Sequence, residues 1–213
     1  LAASKTLSGY IQHSLLTEDA PVWIAQREGR AKDGVDRTEP VIIKMLSMSR
    51  DKRGESFADH IALLGIVPVA ISYELDPCDA LKARELHQLA TSGTYTKAAQ
   101  EDVASIGRGI SGDKGQVHVS FGRPLGADLG SAGEVATEID RQIIELYTLH
   151  PTNVFAWQML NHDAPFPESL RREPGTCSRA AFTAHIAALP EAHRPFALAI
   201  YANAVVSKLE LAA

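Results

Sequence analysis

Between residues 27 and 37 the chain sets four cations, Arg27, Arg30, Lys32 and Arg37, around two glycines, Gly29 and Gly34. Guanidinium and ammonium groups form charge-assisted hydrogen bonds with phosphate oxygens, and glycine lets a backbone come close to a ligand. A phosphorylated small molecule suits that chemistry. Four carboxylates, Glu28, Asp33, Asp36 and Glu39, lie among the cations, so on spacing alone a self-neutralised surface loop is the competing reading.

Other spacings offer less. Lys114 ends a glycine-rich run from Gly107, but Asp113 separates it from Gly112 and neither Ser nor Thr follows, so the run reads as a helix end and turn. Ser111 lacks the second glycine of a nucleophile elbow. His150, His162, His185 and His193 show no metal-ligand spacing, and Cys78 and Cys177 form no CxxC pair. No metal and no cofactor are expected, and the cysteines read as reduced thiols. Arg171, Arg172 and Arg179 read as solvated, and Phe196, Ile200 and Val205 as a core stripe at helical spacing.

The elements that must position the loop follow from hydrophobic period. Leu7, Tyr10, Ile11 and Leu15 predict a helix over 4–16 with that stripe buried, and Val22 to Ala25 predicts a short strand feeding the loop. Thr38 is placed to cap a helix opened by Pro40 that buries Val41, Ile42, Met45 and Leu46; a second helix follows Ser56 and closes at Gly65. Residues 66–73 read as a second strand, joined to the first by a helical crossover, which implies a right-handed parallel unit. Asp79 should cap a helix to about Thr91, with another over 97–110. A half-buried strand over 116–121 should turn Val117, Val119 and Phe121 inward. Val135, Ile139, Ile143 and Leu146 mark a long helix, and the remainder is helical, broken at Pro190 and Pro195.

The expected fold is therefore α/β, a three-layer α/β/α arrangement with a mixed, mainly parallel sheet and a C-terminal helical extension, divided as 1–160 and 161–213. A net charge of −5 gives no overall field for nucleic acid, and 45% hydrophobic residues exclude a disordered chain. The apolar-rich run 195–206 falls short of the ~20 residues a membrane-spanning helix needs.

Val22-Trp23-Ile24-Ala25-Gln26-Arg27-Glu28-Gly29-Arg30, followed by Gly65-Ile66-Val67-Pro68-Val69-Ala70-Ile71, resembles the third and fourth motif blocks of the glycerophospholipid acyltransferases, most closely their bacterial glycerol-3-phosphate acyltransferase branch. Glu28, Gly29, Arg30 and Pro68 match block positions. Gly115 to Leu125 is similar to the family's strand ending in Phe-Gly-x-Pro-Leu, so the likeness runs in order from Val22 to Leu125. Arg30 follows Gly29 directly, where the branch has another small residue first. A one-residue gap restores the match and sets Lys32 opposite a second basic position. The family's His-x-x-x-x-Asp block is absent here and is expected upstream of Leu1.

What the resemblance implies is transfer of a fatty acyl group from acyl-CoA or acyl carrier protein to glycerol-3-phosphate or lysophosphatidate. The upstream histidine would deprotonate the acceptor hydroxyl, Arg30 and Lys32 (with Arg27 beside them) would hold its phosphate, Glu28 and Gly29 would shape the glycerol end, and the backbone at Pro68 would line the acyl-donor side. Such a protein would sit peripherally on the cytoplasmic face of a membrane. The alternative is a non-catalytic homologue that binds phospholipid or acyl donor. A phosphate-ester hydrolase would need a metal or nucleophile that the sequence does not offer.

Overall fold

A computed structural model describes residues 2–27 and 31–213. The described residues form nine α-helices and two β-strands: α1 (Ala2–Leu16), α2 (Pro40–Leu46), α3 (Phe57–Leu63), β1 (Val69–Tyr73), α4 (Asp79–Ser92), α5 (Glu101–Ser111), β2 (Val117–Phe121), α6 (Ala132–Leu146), α7 (Pro151–Leu160), α8 (Arg179–Ala187) and α9 (Arg194–Ala212). Helix accounts for 54%, and the only sheet among the described residues is the antiparallel pair β1–β2. The expected three-layer α/β/α fold with a mainly parallel sheet is therefore wrong.

Two failures of the sequence reading explain that outcome. Val22 to Ala25 form no strand: a run of four residues after Pro21 gains no neighbouring edge to pair with, and Trp23 stays 70% exposed. Without that strand there is no parallel crossover. Residues 66–73 pair instead with the 116–121 segment running the opposite way, as the bonds from Glu74 N–H to Gln116 O (2.9 Å) and from Gly122 N–H to Pro68 O (2.8 Å) show.

The chain divides into two compact units, each assembled from separated stretches. One comprises residues 1–30, 36–70 and 121–146; the other comprises 31–35, 71–120 and 147–213. In the first, α2 packs on α6, and Ile43, Ile61, Val135 and Ile139 form its main core, with a smaller cluster of Ile11, Leu46 and Leu64. The α2 stripe is one residue later than expected, Ile43 and Leu46 being buried while Val41 is exposed. On α1 only Ile11 of the four predicted positions is buried. Ser8 and Ser14 fill the rest of that face, and the Ser8 hydroxyl donates to Leu46 O (2.7 Å).

In the second unit α9 is the central element, packed against α7, α4 and α8, with Phe182, Ala197, Tyr201 and Ala156 in its core. Here β2 shows its pattern reversed: Val117 and Val119 (52%) are exposed while His118 and Ser120 turn inward. The inward face of β2 meets polar groups, so alternation located the strand and misassigned its side. Helix α5 is similarly inside-out. Val103, Ile106 and Ile110 (76%) face solvent, and Ser105, part-buried, meets Cys78 through its carbonyl at 3.5 Å from Sγ.

Glu74, at the end of β1, is wholly buried. Its carboxylate accepts the Cys177 N–H (2.7 Å), the Thr176 hydroxyl (2.9 Å) and the Gln116 N–H (3.1 Å), and its backbone carbonyl accepts the Thr152 hydroxyl (2.5 Å). Burial acts to raise its pKa, but the N–H groups of Cys177 and Gln116 and the Thr176 hydroxyl outweigh that and hold it below the ordinary value. Gly115 and Gly175 press on it, since a Cβ at either would collide with the carboxylate.

Replacing Glu74 with Gln keeps the volume but turns an amide toward two N–H donors. It should cost about 2–3 kcal/mol in urea unfolding at pH 7. Because the native carboxyl is depressed, its contribution is present above the unfolded-state carboxyl pKa and is lost as pH falls through the folded one. E74Q should therefore lose less stability than the parent between pH 5 and pH 3.

Candidate functional site

The cation-bearing loop is closed at its base. Glu39 N–H donates to Gln26 O (2.9 Å), while Thr38 gives its N–H (2.8 Å) and its hydroxyl (2.6 Å) to Asp140 Oδ1 on α6. Loops whose ends are tied to a scaffold are common carriers of binding residues. Thr38 does not cap α2 as expected, because Asp140 takes its hydroxyl; Glu39 occupies the capping position with no side-chain bond.

Arg27 enters the loop half-buried, with Nε shielded from solvent and without a hydrogen-bond partner among the described residues. Glu28, Gly29 and Arg30 lie outside the described residues. Arg37 is exposed.

In the same unit the two later motif segments lie side by side. Pro68 O accepts Gly122 N–H, Ile66 O accepts Leu125 N–H (2.9 Å), and Gln142 Oε1 on α6 accepts Arg123 N–H (2.8 Å). A Cβ on Gly122 would fall on Gln142 Oε1, which makes this close approach specific to glycine. Helix α6 thus holds the loop base through Asp140 and the Phe-Gly segment through Gln142. An open crevice of about 350 Å³ next to it is lined by Arg123, Leu125, Asp128, Leu129, Glu138 and Gln142. Hydrogen bonds from the Arg141 guanidinium, working against burial, hold Glu138 down to about 2, with the Gln142 amide and the Arg123 charge assisting. An anionic Glu138 with Asp128 opposite one guanidinium makes that crevice a poor place for phosphate.

One predicted ligand, Lys32, and one glycine expected to approach a ligand, Gly34, have other partners. In the second unit Lys32 forms an ion pair with Glu85 of α4, and Asp33 O accepts Asn203 Nδ2–H of α9 (2.7 Å). Gly34 has φ +75°, and a Cβ there would fall inside the Ile200 carbonyl. Lys32 is neutralised by the chain itself. Gly34 provides close approach to a helix and not to a ligand.

Sequence reasoning missed a polar cluster around Asp79. Cys78, not Asp79, occupies the capping position of α4. The buried Asp79 carboxylate accepts the Tyr201 hydroxyl (2.8 Å) and meets His185 Nε2 (2.6 Å) through Oδ2, while Oδ1 takes the Ala80 N–H (2.6 Å). The Asp79 hydrogen bond raises His185 above its ordinary pKa, and burial pushes the Tyr201 hydroxyl well up, so it stays a neutral donor. A carboxylate orienting a half-exposed imidazole is general-base geometry. Its bonds to His185 and Tyr201 join α4 to α8 and α9, and it reads as a tie between them. Nothing in the local sequence signals a pair 106 residues apart.

Among the described residues no group of three or more metal-ligating side chains converges, and no helix is long and apolar enough to cross a membrane. Both cysteines are free. No protein-family model, curated protein or solved structure matches the chain.

Gly34→Ala should destabilise the chain by about 2 kcal/mol or more, since it adds positive-φ strain to a collision with the helix backbone; chemical denaturation reads this directly. In an NMR titration His185 should have its midpoint above that of a free histidine, and Asp79→Asn should bring it down.

Proposed function

We propose that the chain is the phosphate-recognising portion of an O-acyltransferase that moves a fatty acyl group from acyl-CoA or acyl carrier protein to glycerol-3-phosphate or lysophosphatidate, peripherally on the cytoplasmic face of a membrane. The observation that carries the reading is Arg27: a buried guanidinium N–H without an acceptor among the described residues, directly before Glu28-Gly29-Arg30, at the entry of a loop tied shut at its base. A buried donor on a cation is costly until an acceptor arrives, and a phosphate oxygen matches it in charge and geometry. The neighbouring placement of Pro68 and Gly122 adds support, because the motif segments resembling the family's strands are in contact. The reading rests on these segments and their chemistry, and the sheet that the resemblance implies plays no part in it.

In the mechanism so implied the acceptor phosphate is held by Arg27 and Arg30, with Glu28 at the glycerol end, and a histidine base removes the proton of the acceptor hydroxyl as it attacks the thioester carbonyl. The thiolate of the donor leaves. No covalent acyl-enzyme is needed.

In the natural full-length protein, Arg27→Ala and Arg30→Ala should each raise the KM for glycerol-3-phosphate by about 10- to 150-fold, the equivalent of 1.5–3 kcal/mol of charge-assisted bonding, with the acyl-CoA KM nearly unchanged. Lys32→Ala should leave the acceptor KM as it is, given its pairing with Glu85. Acceptor binding without turnover by the parent would favour the non-catalytic homologue. Absence of both binding and turnover would overturn the proposal.

A further inference from the structure

In the second unit the inward face of β2 presents His118 to His150, the residue immediately before α7, with ring centroids 5.2 Å apart and planes inclined by 43°. His150 is wholly buried. Its Nε2 lies 3.2 Å from the buried Ser72 hydroxyl of β1, while its Nδ1, and the Nδ1 of His118, are shielded from solvent with no hydrogen-bond partner among the described residues. Unpartnered buried nitrogens are rare in native interiors, and two on facing rings need a physical account. A bound cation is one, but no third ligating side chain joins the pair among the described residues.

The surroundings accept a neutral His150 and oppose a charged one. The groups facing it are His118 from β2, Ser72 from β1, Glu74 just beyond β1, and Glu173, whose N–H is bonded to Leu149 O (2.9 Å). The Glu74 carboxylate is already engaged by Cys177, Thr176 and Gln116 and makes no bond to the imidazole. A protonated His150 would carry an N–H at Nδ1 with no acceptor and a second imidazole at 5.2 Å.

We propose that His150 is a proton-operated latch joining the β1–β2 pair to the N-terminus of α7: neutral, it is closed, and protonation releases it. The residues it secures are substantial. His150 N–H donates to Asn153 Oδ1 (2.7 Å), Asn153 Nδ2–H to Tyr201 O (2.9 Å), and the Thr152 hydroxyl to Glu74 O, so the start of α7 is tied to both β1 and α9. Burial, followed by the electrostatic effect of the His118 imidazole, lowers the pKa of His150 despite Glu74, Ser72 and Glu173. A base depressed in the closed state takes up its proton preferentially when open. The latch is thus fully closed above the unfolded-state value of about 6.5 and weakens as pH falls below it, by up to tenfold in opening constant per pH unit.

The test is amide hydrogen exchange of the full chain at pH 7.5 and pH 5.0, expressed as protection factors corrected for intrinsic rates. Protection at residues 72–74 and 150–154 should fall, by up to about thirtyfold, the ceiling for one proton taken up in the open state with a pKa near 6.5, while amides of α6 keep theirs. His118→Gln, which removes the facing imidazole without touching α7, should make that loss smaller, and His150→Phe, if it folds, should abolish it. Flat protection across this range, an equal loss throughout α6, or an unchanged loss in His118→Gln would overturn the proposal. Zinc sulfate raising the protection of these amides at pH 7.5 in the parent and not in His118→Gln would also overturn it, by identifying the pair as a metal site.

Discussion

A single buried carboxylate organises the second unit. Glu74 gathers donors from the turn before β2 and from the segment leading into α8, and its own carbonyl holds the start of α7. The strands themselves are only five residues each, and a pair of that length has little stability by itself. An ion in the protein interior is tolerated where its lone pairs are filled, and here the donors come from two segments far apart in the chain. The ladder continues past β1 through Glu74 and Leu75 because that carboxylate keeps the opposing turn in place.

In the first unit α6 plays a comparable part with neutral and charged side chains mixed. Its inner stripe of Val135, Ile139 and Ile143 fills the core, and the next positions round the helix, Asp140 and Gln142, reach backbone groups of the loop base and of the Phe-Gly segment. Both residues are polar groups committed to main-chain donors, which is how an irregular segment satisfies its N–H groups away from regular structure. The loop therefore has fixed ends whatever its tip does.

Helices were the most legible feature. Those predicted after Ser56, from Asp79 and around Ile139 are present, since a 3.6-residue stripe and a capping residue are local properties. Strand pairing was not legible, because the partner of residues 66–73 is fixed by tertiary geometry. Period-2 alternation at Val117 and Val119 marked a strand, yet which face turns inward depended on His118 meeting His150, a contact with no local signature. The candidate loop's composition was legible and its pairing was not. Arg27 Nε has no acceptor among the described residues, whereas Lys32 and Gly34 are accounted for by Glu85 and Ile200, both distant in sequence. The Asp79–His185 tie was unreadable for the same reason.

The inversion of α5 changes how sequence variation along it should be read. On most amphipathic helices the large apolar positions resist substitution and the small polar ones drift. Here Val103, Ile106 and Ile110 bury little, so polar replacements at these positions remove surface without removing packing, whereas Ser105, the residue against Cys78, bears the volume constraint. Among natural variants of this chain, hydrophobicity along 101–111 is thus free to drift while side-chain size at 105 is not.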